Sequence, residues 1–168
     1  KNVIKFNFYK NKYKKIDKIL NLIIDENRIY ISDNLGFVYA YNFNENKIIW
    51  AKSYKIPFRS NIKIYQNKII LANQNNTLFF LNKNNGEILR KIPTEDSTVK
   101  NEFKNNISLY GNNIKYLNTY GSLYSIDVDT MRIKWFINLN KSLNINPSNL
   151  FTSNQLVIYN KKIFVPTQ

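Results

Sequence analysis

One stretch of this chain recurs, and the recurrence limits the fold more than any other feature. Arg28–Trp50, RIYISDNLGFVYAYNFNENKIIW, returns from Lys68 as KIILANQNNTLFFLNKNNGEILR and from Asn113 as NIKYLNTYGSLYSIDVDTMRIKW, at offsets of 40 and 45 residues and without gaps. Gly36 aligns with Asn76 and Gly121, Tyr39 with Phe79 and Tyr124, Ile48 with Ile88 and Ile133, and Trp50 with Arg90 and Trp135. Each copy reads as strand, tight turn, strand, polar turn, strand. At Asp33-Asn34-Leu35-Gly36 the glycine is free to take the positive φ that such a turn needs. A period of 40 to 50 residues built of short strands marks a propeller-type array. One four-stranded blade has two apolar faces and buries them only by stacking on its neighbours.

The rest of the chain extends the pattern. Leu20, Leu22, Ile23 and Ile24 form an apolar run, and Asp25-Glu26-Asn27 turns it into the first copy. Adjacent carboxylates on an exposed turn point different ways, so Asp25-Glu26 is not read as a catalytic pair. Ile4–Ile16 overlays Val38–Trp50 at an offset of 34, with Ile16 at the tryptophan position, and Lys162–Gln168 overlays Arg28–Asn34 at an offset of 134. The expected fold is therefore all-β: a propeller segment of four-stranded antiparallel blades, three whole blades with a half-blade at each end. The expected boundaries are half-blade 1–17, blades 18–52, 58–92 and 103–137, and half-blade 148–168. The text begins and ends inside a repeat, which suggests a partial piece; further blades in a longer parent, seven or eight in total, are one way to cover the end faces. Closure of the two half-blades into a ring of four, or self-association of two copies through open blade edges, are the other ways to cover such faces.

Composition removes several chemistries. The chain has 168 residues, 43% hydrophobic and 15% aromatic, too apolar for a disordered segment. It has no cysteine, hence no disulfide framework and no thiolate metal site, and no histidine, the commonest general base and metal ligand. No run of about 18 apolar residues occurs. No catalytic residue, cofactor or metal is expected. The net charge of +14 fits an anionic partner, nucleic acid or a lipid headgroup surface. It equally fits a residue usage dominated by Asn, Ile and Lys, whose codons are rich in A and T. The one dense run, Lys10, Lys12, Lys14, Lys15 and Lys18, is read first as a solvated edge strand, where lysine blocks edge-to-edge pairing, and second as a headgroup patch. Interleaved rings such as Phe6-Asn7-Phe8-Tyr9 follow simple strand alternation, and nucleic acid is disfavoured because stacking needs exposed rings.

Three linkers join the copies. In Ala51–Ile64, AKSYKIPFRSNIKI, Pro57 breaks any strand and Phe58-Arg59 lies on the connection. An aromatic beside an arginine on a rigid scaffold suits a protein-binding anchor. A plug between blades is the equal alternative for Phe58. Lys91–Lys104, with Thr94-Glu95-Asp96-Ser97, and Asn138–Asn149 read as solvated loops.

Ala40-Tyr41-Asn42 with Lys47-Ile48-Ile49-Trp50, Ser125-Ile126-Asp127 with Trp135, and the turn Asn85-Gly86-Glu87 resemble the PQQ-type propeller repeat. That resemblance implies that Trp50 and Trp135 dock against small residues of neighbouring blades, at positions of the Ala40 and Ser125 type, with Gly36 and Gly121 as turn residues. Arg90 and Ile16 depart from the pattern. Within these repeats the chain resembles the BamB family of outer-membrane assembly lipoproteins. Ile56-Pro57-Phe58-Arg59-Ser60 is similar to that family's linker that contacts the barrel-assembly subunit BamA. The resemblance implies partner contacts at Ile56, Phe58, Arg59 and Glu102, while Lys104 reverses an expected charge. It also implies a periplasmic, outer-membrane-associated, non-catalytic scaffold. A fragment of a quinoprotein dehydrogenase is a competing reading of the same repeat. It lacks the vicinal cysteines of that family, and Asp127 and Asp129 are better read as blade-turn residues than as calcium ligands. The third reading is the basic binder of nucleic acid or anionic lipid.

Overall fold

The computed structural model describes residues 9–95, 106–139 and 155–165. The first sheet is a meander of β1 (Leu20–Asp25), β2 (Arg28–Asp33), β3 (Phe37–Asn42) and β4 (Lys47–Ser53). The second holds β5 (Lys63–Tyr65), β6 (Lys68–Ala72), β7 (Thr77–Asn82) and β8 (Ile88–Pro93). The third holds β9 (Asn106–Tyr110), β10 (Asn113–Leu117), β11 (Ser122–Asp127) and β12 (Arg132–Asn138). A two-stranded sheet follows, β13 (Val157–Tyr159) with β14 (Lys162–Phe164). Every pairing among the described strands is antiparallel and joins consecutive strands, as in a partial β-propeller.

The alternation of side chains explains the stacking. In the second blade Ile69, Leu71, Phe79 and Leu81 join Tyr30, Val38, Ala40 and Trp50 of the first blade in one cluster. Their neighbours Ile70, Ala72, Leu78 and Phe80 join Ile114, Tyr116, Tyr124 and Ile126 of the third blade in another. Strands β6 and β7 are buried on both faces, which is why they read as continuous apolar runs. Leu117 and Leu123 face the other way and pack with Leu156 beside the half-blade. At the two ends the outward faces stay wet: Leu22 and Ile24 are each 61% exposed, and Tyr159 is 66% exposed.

The copies also share an irregularity. The pairing of third and fourth strands shifts register after Ala40, Phe80 and Ser125, which are equivalent positions. The bulge places Trp50 opposite Ala40, Arg90 opposite Phe80 and Trp135 opposite Ser125.

The opening segment departs from expectation. Residues 1–8 lie outside the described residues, and 9–19 contain no strand. Asn11–Tyr13 is a 3-10 helix, so the lysine run is not an edge strand. The Lys18 ammonium donates to the carbonyls of Tyr13, Ile16 and Lys14 at 2.6, 2.7 and 3.2 Å and gathers that backbone into a turn. Tyr9 and Tyr13 pack edge-on to Phe37, at 5.1 and 6.2 Å between centroids. The Asn34 side chain accepts from the Ile19 N–H and donates to the Asp17 carbonyl. Local hydrogen bonds and ring contacts thus outweigh the weak alternation of the sequence.

Candidate partner-docking site

The turns between second and third strands and the linkers between blades meet on one rim. Each turn is organised by one side chain at an equivalent position. Asp33 Oδ1 accepts from the N–H groups of Leu35 and Phe37 at 2.9 and 2.8 Å. Asn73 Oδ1 accepts from Asn75 and Thr77, and Asn118 Oδ1 from Tyr120 and Ser122, at 2.9 to 3.0 Å. All three are buried, and the paired bonds satisfy amides that the turn would otherwise orphan. Gly36, Asn76 and Gly121 follow with φ of 86°, 57° and 77°. Each then lends its carbonyl to the incoming linker: Gly36 to Tyr54, Asn76 to Thr94 and Gly121 to Leu139.

The first linker is clamped between two blades. The Phe58 N–H donates to the Asp33 carbonyl, the Arg59 N–H to the Ala72 carbonyl, and the Gln74 N–H to the Pro57 carbonyl. The Ala72 N–H donates to Ser60 Oγ at 2.7 Å. A Cβ on Gly36 would lie 2.7 Å from the Ile56 carbonyl oxygen, so only glycine lets the linker pass this close.

This clamp decides the roles of the candidate residues. Phe58 is 2% exposed and meets Tyr54 and Phe79 edge-on at 5.6 and 5.5 Å, so it is the plug between blades and not a surface anchor. The expected partner contact at Phe58 is thereby corrected. An aromatic ring on this linker gains more by filling the inter-blade gap than by facing water. Ile56 and Arg59 are half-buried on the same linker. The Arg59 Nε is buried and has no hydrogen-bond partner among the described residues. Glu102 and Lys104 lie outside the described residues. In the second linker Thr94 and Glu95 are tied to the third blade. The Asn118 amide donates to Glu95 Oε2 at 3.1 Å, and the Asn76 amide donates to the Glu95 carbonyl and to Thr119 Oγ1.

The two tryptophans have different surroundings. Trp50 is 9% exposed and donates its Nε1–H to the Lys83 carbonyl at 3.1 Å. Its ring lies on Gly86, in the turn between β7 and β8 of the next blade. The small residue beneath the indole is thus Gly86, while Ala40 pairs with Trp50 inside its own blade. Burial pushes the Tyr54 phenol above its ordinary range, and its hydroxyl donates to the Gly86 carbonyl at 2.5 Å. Trp135 is 43% exposed and pairs with buried Ser125 in its own blade. An ion pair also spans the first two blades: Lys83 Nζ lies 2.8 Å from Asp25 Oδ2, and this bond raises the lysine's proton affinity. Asp127 accepts from Thr130 N–H and Oγ1 and pairs with Lys134 at 3.0 Å. Those contacts, the Thr130 N–H first, hold its carboxyl down to about 2.

No family model matches the chain, and no curated protein does. Solved structures do. BamB from Moraxella catarrhalis superposes with a TM-score of 0.59 at 17% identity, over 70% of this chain and 36% of that one. The quinohemoprotein alcohol dehydrogenase from Comamonas testosteroni gives 0.58 at 14% identity, over 70% of this chain and 20% of that one. A europium-containing methanol dehydrogenase gives 0.59 at 14% identity, over 69% and 24%. The chain thus spans between about a fifth and a little over a third of the length of these structures. The likeness establishes the propeller fold.

Proposed function

We propose that this chain is a non-catalytic, BamB-like scaffold that docks another protein through the rim of linkers between its blades. The observation that carries the reading is Arg59. It stands half-buried on a linker whose backbone is held at both sides by neighbouring blades, and its Nε has no hydrogen-bond partner among the described residues. An arginine carried on a fixed backbone can give a partner's carboxylate or carbonyl a charge-assisted bond through its terminal N–H groups, with little loop ordering left to supply. Ile56, half-buried beside it, adds apolar contact. By the resemblance the partner is a BamA-like assembly subunit, and the setting is the periplasm at the outer membrane.

The test is titration of that subunit against Arg59→Glu. Loss of such an anchor costs about 2 kcal/mol or more, roughly thirtyfold in Kd, with the melting temperature unchanged. Unchanged affinity, or a variant that melts early, sinks the assignment.

A second reading, a fragment of a quinoprotein dehydrogenase, draws on two neighbours whose TM-scores equal that of BamB to within 0.01. It predicts a visible-band change and a thermal shift when a quinone cofactor and calcium are added. The third, a basic binder of nucleic acid or anionic lipid, draws on the charge of +14. It predicts retention on such a surface that falls steeply with salt.

A further inference from the structure

The third blade turns an unusual face toward the half-blade. Lys115 occupies the position held in the two earlier copies by Tyr30 and Ile70, both fully buried. Ser125 occupies the position of Ala40 and Phe80. Where the first two blades present apolar groups to the next, the third presents an ammonium and a hydroxyl. Lys115 Nζ donates to Ser125 Oγ at 2.5 Å and stands 4.7 Å from the centroid of the half-exposed Trp135 ring. Neighbouring Lys134 is already engaged, 3.0 Å from Asp127 Oδ2 and 2.9 Å from Asn113 Oδ1. Among the described residues no carboxylate pairs with Lys115. Burial first, and then Lys134, lower its proton affinity. These groups line an open cleft of about 290 Å³, bordered on the half-blade side by Ile158, Lys161 and Ile163.

We propose that this cleft binds a small molecule carrying a carboxylate or phosphate on a flat apolar body, with the oxyanion on Lys115 and the body against the exposed part of Trp135. A lysine has three donors, and Ser125 uses one, so two remain for an anion. An oxyanion returns to the ammonium the charge compensation that burial removed. The indole offers an apolar face that water covers poorly. The volume lies at the small end of ligand pockets, which limits the guest to about one ring with its acidic group. The site is separate from the linker rim and does not depend on the docking reading.

The test is an NMR titration of the full chain, reading the two indole N–H signals. The probes are benzoate, phenyl phosphate and inorganic phosphate. The expected result is a saturable shift of the Trp135 signal with a steady Trp50 signal, for benzoate or phenyl phosphate. Which of these binds more tightly identifies the oxyanion. Inorganic phosphate binds at least about tenfold more weakly, since it lacks the flat body. Lys115→Met weakens binding about tenfold or more, and Lys115→Arg retains it. Absence of saturation up to about 10 mM overturns the proposal, as does equal affinity in Lys115→Met. Inorganic phosphate binding as tightly as the ring compounds overturns the role of Trp135. If Lys115→Met does not fold, salt decides: affinity in the unaltered chain that does not fall between low and high salt overturns the proposal.

Discussion

Replacing Gly86 with alanine tests the stacking of the first two blades at its tightest contact. An alanine Cβ there would sit 2.6 Å from Trp50 Cζ3, 2.7 Å from Cε3 and 3.1 Å from Cη2. The ring must move, because the turn beneath it is fixed by the bond from the Gly86 N–H to the Asn82 carbonyl. Two costs combine. Gly86 has a φ of +70°, where an L side chain costs about 1 kcal/mol. Lifting the indole weakens its bond to the Lys83 carbonyl, about 1 kcal/mol, and exposes part of an aromatic surface whose full burial is worth about 4 to 6 kcal/mol. Losing a quarter of that burial brings the total to about 3 kcal/mol. Gly111 supplies the control: its φ is +56°, and a Cβ there meets nothing within 4 Å. Gly111→Ala should therefore show the backbone cost alone, about 1 kcal/mol. The assay is urea unfolding followed by circular dichroism, repeated in a Trp50→Leu background. There the cost of Gly86→Ala should fall to that of Gly111→Ala. Equal costs for the two glycines in the unaltered chain, or no coupling to Trp50, would refute the contact as the source of stability.

Three further substitutions probe other joints. Phe58→Ala removes the plug and should cost about 3 to 5 kcal/mol in urea unfolding, whereas a surface anchor would cost almost nothing. Asn118→Ala strips the acceptor from two turn amides and should cost about 1 to 3 kcal/mol, visible as faster exchange at Tyr120 and Ser122. For Asp127, the folded carboxyl titrates near 2, below its ordinary value, so its contribution is complete above about pH 4 and is lost as pH falls toward 2. Stability curves for the unaltered chain and Asp127→Asn should differ at neutral pH and converge at about pH 2.

The repeat was legible because its punctuation is local. Asp33, Asn73 and Asn118 each close their own turn, and Gly36, Asn76 and Gly121 each accept a positive φ within it, so the text of every copy carries these needs. What depends on a neighbouring blade was harder to read. Asn85-Gly86-Glu87 reads as a turn, but nothing nearby says that an indole from 36 positions earlier rests on it. Phe58 was balanced between plug and anchor, because the groove that swallows it is made by Tyr54 on one side and Phe79 on the other. The opening segment misled because alternation alone is weak: Tyr9 and Tyr13 find Phe37, and Lys18 collects three carbonyls, none of which is a feature of periodicity. Lys115 carried a signal that repeat alignment could have raised, a cation in a column otherwise filled by Tyr30 and Ile70.

The inner strands of the middle sheet, β6 and β7, send alternate side chains into two different clusters and are covered on both faces. Their amides can reach deuterated water only when one of the flanking sheets lets go. Exchange protection should therefore peak at β6 and β7 and decline toward both ends of the array, so that the molecule melts from its margins inward, one leaflet at a time.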